Sequence, residues 1–457
     1  MSRTLLAVCG LTLLARCTAT PIEAELSARR DLETVTTRYR PGDSKPELPA
    51  LSPDSPLSDW LRYAMLNDPR VEAAYYDWAA SVERISAARS LPDPRLTFSA
   101  DITSVIAMVM PGLMIDLPGP GKLRAAGEAA AAESRAGYFA FEAQVLRTAF
   151  SAKSAYHRLR FLEDSILVRR EMLALLGELE ESARQQVTAG RGTIQDVLRA
   201  QIERRTLATR LDSLEDSRGA LHAEFRASLG HDPADKAVPL PTKFDSGAES
   251  PPPDGILSLA ASRNPELRRL EAEVRRGEAM LDLAFLSGVP DLSAGIEADV
   301  RASPVLWRPT ASLTLPIWRD KVAAGIAAAQ AGIRSAEARL TAAQIGLAAE
   351  VAAMIVMVRE STRNEALFGT MLRPMARQAL EAARAGYAAG RSSFLDVVDA
   401  ERQWLEFELS HIEARTQREL ALASLSLTIS GVAPEGSPVL PPPVHSGVPT
   451  PQTEARR

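Results

Sequence analysis

The chain has 457 residues, 46% of them hydrophobic but only 5% aromatic, with a formal net charge of -5 and a pI near 5.8. An acidic balance without a Lys/Arg-rich patch excludes nucleic acid as an expected partner. Apolar content carried by small aliphatic side chains, Ala above all, suits long, closely packed helices better than a bulky-cored sandwich.

The N-terminus reads as an export leader over residues 1–23. Arg3 supplies the positive end, Leu5 to Ala15 is apolar, and polarity returns at Arg16. The apolar run is too short to cross a bilayer as a helix. Cys9 and Cys17 lie inside or beside it, so the mature chain is expected to carry no disulfide. Leu14-Ala15-Arg16-Cys17 is similar to a bacterial lipobox, which makes Cys17 a candidate lipidation site. Arg16 departs from that pattern, and cleavage near Ala19 or Ala24 is the other reading. Residues 24–56, with Pro41, Pro46, Pro49, Pro53 and Pro56, predict a mostly irregular arm.

From residue 57 onward the chain is duplicated. Gly190-Arg191 recurs as Gly390-Arg391 and Asp196 as Asp396, an offset of 200; Pro92-Asp93 recurs as Pro290-Asp291 and Pro118 as Pro316, an offset of 198. The expected organisation is a first repeat at 57–230, a Pro-rich linker at 231–254, a second repeat at 255–431 and a disordered tail at 432–457. Each repeat opens with a helix that turns a corner at Pro69 or Pro265. Two segments with strand alternation follow, at about 95–117 and 291–316, the first of them broken at Pro111-Gly112. Each repeat then becomes helical for a long way, with no proline between Gly121 and His231 and only Pro374 between Ile317 and Val432. As a helix, Lys122 to Val187 would reach roughly 100 Å, far beyond the about three turns of an average globular helix. Phe394, Val398, Leu405, Leu409, Ile412, Leu420 and Leu427 follow coiled-coil spacing. Gly190 and Gly390 end the rods as left-handed C-terminal stops, with Thr193 and Ser392 or Ser393 capping the helices that follow. The best later apolar stretch, Ile345 to Val358, is interrupted by Glu350 and is too short for a lone membrane span.

The fold class expected is therefore mainly α with a small β part. Four strands of about membrane-crossing length on an exported chain admit two readings: a soluble pair of hairpins capping a helical bundle, or part of a membrane barrel. The smallest closed membrane barrels have about 8 strands, and an open edge is not tolerated in lipid. In the second reading copies of the chain must combine around a pore.

The segment Ala383-Arg384-Ala385-Gly386-Tyr387-Ala388-Ala389-Gly390-Arg391-Ser392-Ser393-Phe394-Leu395-Asp396-Val397-Val398-Asp399-Ala400, its weaker twin at 188–200 and the duplication resemble the TolC-type outer-membrane efflux proteins. The resemblance covers about residues 57–431. It implies a homotrimer whose four strands per chain build a shared 12-stranded β-barrel, with the long coiled-coil helices forming a periplasmic α-barrel. It implies a passive exit channel fed by an inner-membrane pump of RND type through a periplasmic adaptor, embedded in outer-membrane lipid, with no enzyme activity and no cofactor. The rival expectation is an exported coiled-coil scaffold or adaptor without a pore.

Asp396 and Asp399 lie three residues apart on one helix face and match the family's aperture aspartates; helix-start acids favoured by the dipole are the other reading. Tyr387 matches a tyrosine near the gate, or is a packing residue. Arg391 is one position off the family's gate arginine. Asp196 and Arg199 are the first-repeat counterparts, Arg199 standing where the second repeat has Asp399. Gly190, Arg191 and Gly390 would be adaptor-facing helix tips. Met108, Met110 and Met114 precede Pro118-Gly119-Pro120-Gly121-Lys122, which resembles the heavy-metal Cus/Czc-type subgroup. Thioethers suit soft Cu(I), but a strand methionine is also an ordinary apolar side chain. No metal site is expected from the scattered histidines, and no phosphate loop or nucleophile elbow is present.

Overall fold

The computed structural model describes residues 21–39, 47–102, 106–232, 238–246, 255–300, 302–434 and 437–440, with the side chains of 100–109 left out. The leader, Cys17, and most of the tail and linker lie outside the described residues. The chain separates into two compact units, one of residues 1–37, 73–142 and 265–345 and the other of 38–72, 143–264 and 346–457.

The element order is duplicated. The first repeat is α2 (Leu57–Asn67), α3 (Pro69–Arg89), β1 (Arg95–Ile102), β2 (Ile106–Leu117), α4 (Lys122–Thr188) and α5 (Ile194–Ser228). The second is α6 (Ile256–Arg263), α7 (Pro265–Leu286), β3 (Asp291–Asp299), β4 (Leu306–Thr314), α8 (Arg319–Ala366), a π-helical turn (Leu367–Leu372), α9 (Arg373–Ala388), α10 (Phe394–Ala423) and a second π-helical turn (Ser424–Ile429). Helix α1 (Glu23–Tyr39) precedes both.

Three expectations are corrected. Residues 24–56 are not mostly irregular: α1 takes up about their first half, because the prolines begin only at Pro41. Glu25, buried at 1% exposure, holds α1 to α3 through Arg89 and through Ser86 at 2.8 Å. Strand β2 is not broken at Pro111-Gly112. Pro111 lies opposite Phe98 in the ladder to β1 but outside the ladder to β3, which begins at Gly112, so one side of the strand is unpaired where the proline sits; a Cβ at Gly112 would strike Glu297 and Thr97. The described parts of the linker and tail are packed: Tyr156 donates to the Lys243 carbonyl at 2.6 Å, and Val238, Val439 and Leu440 are buried.

In the first unit the four strands form one antiparallel sheet in the order β1-β2-β3-β4. Register places Leu96 opposite Leu113, Leu113 opposite Ile296 and Ile296 opposite Pro309, so these apolar residues of all four strands share one face. Where α3 meets α4, Trp78 stacks on Phe141 with ring centroids 5.7 Å apart and meets Tyr138 edge-on at 5.1 Å.

In the second unit the two repeats meet their corners alike. Asn67 donates to the carbonyls of Leu229 and Gly230 at 3.1 and 3.0 Å, and Asn264 to that of Ile429 at 3.0 Å. Each asparagine thereby satisfies the last carbonyls of a returning helix.

The rods differ in one respect. Helix α4 is unbroken over 67 residues, whereas its counterpart passes through the π-turn at Leu367–Leu372, immediately before Pro374. The repeat offset rises from 198 at Pro118/Pro316 to 200 at Gly190/Gly390, then to 201 at Gly230/Gly431, which follows the second π-turn. A π-turn accommodates an extra residue within an α-helix, so the two turns account for one of the two residues gained before the tip and for the one gained after it. The helix Arg319–Ala388 also contains a window long and apolar enough to cross a membrane by length and composition. Glu350 does not remove it, because the flanking residues are Ala-rich and carry few charges.

Glycine tolerance separates the tips from the corners. Gly230 has φ +69° and its absent Cβ would lie 2.7 Å from Asp68 Cα; Gly390 has φ +72° and nothing within 4 Å. Gly390→Ala is expected to cost about 1–2 kcal/mol for the left-handed backbone alone. Gly230→Ala is expected to cost several-fold more in urea denaturation; equal costs would contradict the packing at the corner.

Candidate functional site

Both rods end in the same turn. Arg191 N bonds Gln186 O at 2.9 Å and Gly190 N bonds Val187 O at 3.0 Å; Arg391 N bonds Gly386 O at 2.8 Å and Gly390 N bonds Tyr387 O at 3.0 Å. These paired bonds close each helix as a Schellman motif, with the glycine left-handed at φ +71° and +72°. The helices restart with a carboxylate at the third position. Ser393 N donates to Asp396 Oδ2 at 2.8 Å, and Thr193 N and Oγ1 donate to Asp196 Oδ2 at 3.2 and 2.8 Å. Asp396 N completes a capping box by donating to Ser393 Oγ at 3.2 Å. The Ser393 hydrogen bonds hold the Asp396 carboxyl below its ordinary range. Asp196 and Asp396 are therefore capping residues whatever else they do.

The tips lie together in the second unit. Tyr387, Phe394, Val397 and Val398 of the second repeat pack with Leu176, Leu179, Ala183, Val197 and Ala200 of the first. Tyr387 is a packing residue, 9% exposed and edge-on to Phe394 at 5.8 Å. Its hydroxyl has no hydrogen-bond partner, and burial, then the charge of Asp196, push its pKa up. Arg191, Arg199, Gly190, Gly390, Arg391 and Asp399 are exposed. Within one chain, then, Tyr387 and Asp196 are brought together, while Asp399 and Arg391 remain on the surface.

The sequence reading missed the ionic ties between the hairpins. Arg384 on α9 pairs with Glu178 on α4 at 2.6 Å, and Arg402 on α10 pairs with Glu203 on α5. Glu180 accepts from Gln201 at 3.0 Å, Arg184 at 2.6 Å and Arg204 at 3.0 Å. Glu401, on α10, is almost wholly buried. Its signal was legible: it falls on the apolar stripe of α10, three residues after Val398 and four before Leu405.

The sheet has two chemically distinct faces. Leu96, Phe98, Leu113, Leu292, Ile296, Trp307 and Leu313 share one face and are all exposed. On the other, Arg95 pairs with Asp116 at 2.7 Å, Ser293 donates to Asp116 at 2.7 Å and Ser99 to Glu297 at 3.3 Å. Met110 and Met114 occupy this polar face, opposite Ser99 and Arg95, rather than the apolar one. The side chain of Met108 lies outside those described. Among the described residues no group of His, Cys, Asp and Glu could hold a metal ion.

Residues 256–431 match the family model for outer membrane efflux proteins. The outer membrane protein OprJ of Pseudomonas aeruginosa is 25% identical over 69% of this chain and 65% of its own length. The cobalt-zinc-cadmium resistance protein CzcC of Cupriavidus metallidurans is 25% identical over 59% of this chain and 63% of its own. The matches thus span just under two thirds of each relative. Among solved structures, that of CusC superposes with a TM-score of 0.72 at 17% identity, covering 83% of this chain and 93% of that one. The resemblance to the TolC-type efflux proteins holds in sequence across the second repeat, and the fold is that of their channels.

Glu180→Ala strands Arg184, Arg204 and Gln201 and is expected to lower stability by about 2 kcal/mol. Asp399→Ala is expected to stay within about 0.5 kcal/mol. Thermal unfolding of both variants checks the pair; a large loss for Asp399→Ala would show a structural role that the exposed side chain does not suggest.

Proposed function

We propose, on the premise of that family resemblance, that three copies of the chain form an outer-membrane exit channel. It passively conducts substrates delivered by an inner-membrane pump, of RND type, through a periplasmic adaptor. The observation that carries this reading is the two-faced sheet. A face of exposed Leu, Ile, Phe and Trp side chains suits hydrocarbon, and the hydrogen-bonded polar face suits a water-filled lumen. Strands β1 and β4 each have one unpaired edge in the single chain, and four strands are too few to close. Pairing β1 of one copy with β4 of the next removes every edge. The exposed window on α8 is then a surface covered by neighbouring helices rather than a span. Trp307 near one end of β4 and Trp318 four residues beyond its other end are both exposed, as interfacial aromatics are.

The rival scaffold reading leaves the same apolar face in water, which soluble proteins avoid over contiguous areas of this kind. A channel in this role catalyses no reaction. For the aperture, Asp396 and Asp399 are repeated three times around the axis. Rings of carboxylates attract cations, with Arg199 modifying the charge contributed by the first repeat and Tyr387 and Arg391 beside it. Gly190, Arg191 and Gly390, being exposed at the turns, are the adaptor-facing tips. Metal ions are the favoured cargo: Met110 and Met114 sit among polar side chains, where thioethers can meet soft ions. Lipidation at Cys17 would add a membrane anchor.

Fractionation is expected to place the mature protein in the outer membrane; recovery in the soluble periplasm would sink the channel reading. In planar bilayers, Asp396→Ala with Asp399→Ala is expected to weaken block by divalent cations several-fold, and unchanged block removes these residues from the aperture. A deletion strain challenged with metals, dyes and antibiotics reads the cargo, with metal sensitivity expected.

A further inference from the structure

The duplication supplies its own control for one buried position. In the first repeat the buried acid is Glu180, met by Gln201, Arg184 and Arg204. At the offset of 200 these positions hold Leu380, Glu401, Arg384 and Trp404. The acid has moved from the descending helix to the returning one, and its partners have not followed. Glu401 is 1% exposed, and neither of its carboxyl oxygens has a hydrogen-bond partner.

Charged groups face Glu401 from every helix around it: Glu178 from α4, Glu203 from α5 and Arg384 from α9. All three are engaged elsewhere. Arg384 is held by Glu178, and Glu203 by Arg402, the residue beside Glu401 on α10. An ionised Glu401 would therefore meet two like charges and one arginine already committed.

We propose that Glu401 is a proton-binding site that couples pH to the packing of the second tip hairpin, α9 to α10, against the first. With the proton bound, the neutral carboxyl sits in the apolar bundle. When the proton passes to water, the carboxylate is neutralised only by drawing Arg384 off Glu178 or by admitting water, and either change loosens α9 and α10 from α4. The first hairpin, whose acid is ionised and paired, has no such response. Burial, opposed by Arg384 and reinforced by Glu178 and Glu203, raises the Glu401 pKa to about 7.

Because the shift is upward from 4.5, the closed packing holds more protons than the opened one between those two values. Opening therefore becomes easier as pH rises through that interval and levels off above it. Proton binding at Glu401 does not rest on the channel reading.

The test is hydrogen–deuterium exchange on the full-length protein in lipid at pH 5 and pH 7.5, corrected for intrinsic exchange with an unfolded peptide. Residues 384–404 are expected to open on the order of tens-fold more at pH 7.5, residues 184–204 not to respond, and Glu401→Gln to abolish the difference. Gln is what the first repeat carries at this position. Should the variant not fold, the infrared band of a protonated carboxyl that still titrates near neutrality in Glu419→Gln, which removes the other buried glutamate raised to about 7, carries the test. A flat response in the wild type, an equal response in both hairpins, or a response that survives Glu401→Gln overturns the proposal. A tip response in a protein that never conducts keeps the proton site and removes the channel reading.

Discussion

Unpaired backbone at a sheet edge is the constraint on which the rest depends. In hydrocarbon each unsatisfied N–H or C=O costs several kcal/mol. The sheet β1-β2-β3-β4 exposes an apolar face that belongs in such a medium while keeping an open edge on each side. A single chain cannot resolve that conflict; copies around an axis can. The same logic governs the helices. A 67-residue helix and its 70-residue counterpart bury only part of their apolar surface within one chain, and the uncovered Ala-rich stretch of α8 is small-residue surface suited to close helix packing.

Duplication solves the folding problem once and uses it twice, and function enters where the copies diverge. The tip turns are superposable in their bonding, down to the carbonyls used. The corners use the same asparagine device. Against this sameness, among the described residues, the second repeat carries the two π-turns, the unpartnered Glu401 and Asp399 where the first has Arg199. One hairpin is built as a regular brace whose buried acid, Glu180, is paired. The other carries inserted residues and an unmatched charge, so the work of responding falls to it.

Much of the fold was legible in the sequence, because its periodicities are long. Alternation at Leu96, Phe98 and Ala100 fixed the facing of β1, and the glycines at 190 and 390 located the tips. What failed had local causes. Pro111 was read as a break, but it sits where the ladder to β3 has already ended. The prolines after residue 40 coloured the whole arm as irregular and hid α1. The site was legible in part: the Asp396 helix start was visible, but its bond to Ser393 and the burial of Tyr387 depend on the tertiary approach of the tips. Glu178, Glu203, Arg384 and Arg402 were invisible because their partners lie about 200 residues away.

Closure by copies can be read most directly from the sheet edges. One cysteine on β1 and one on β4 of the same chain, scanned along the strands and oxidised in the membrane, report which edges meet. Pairing between copies predicts covalent species of up to three chains on a denaturing gel, at positions following a single antiparallel register. Disulfides found only within single chains, or none at any register, would contradict closure and with it the channel.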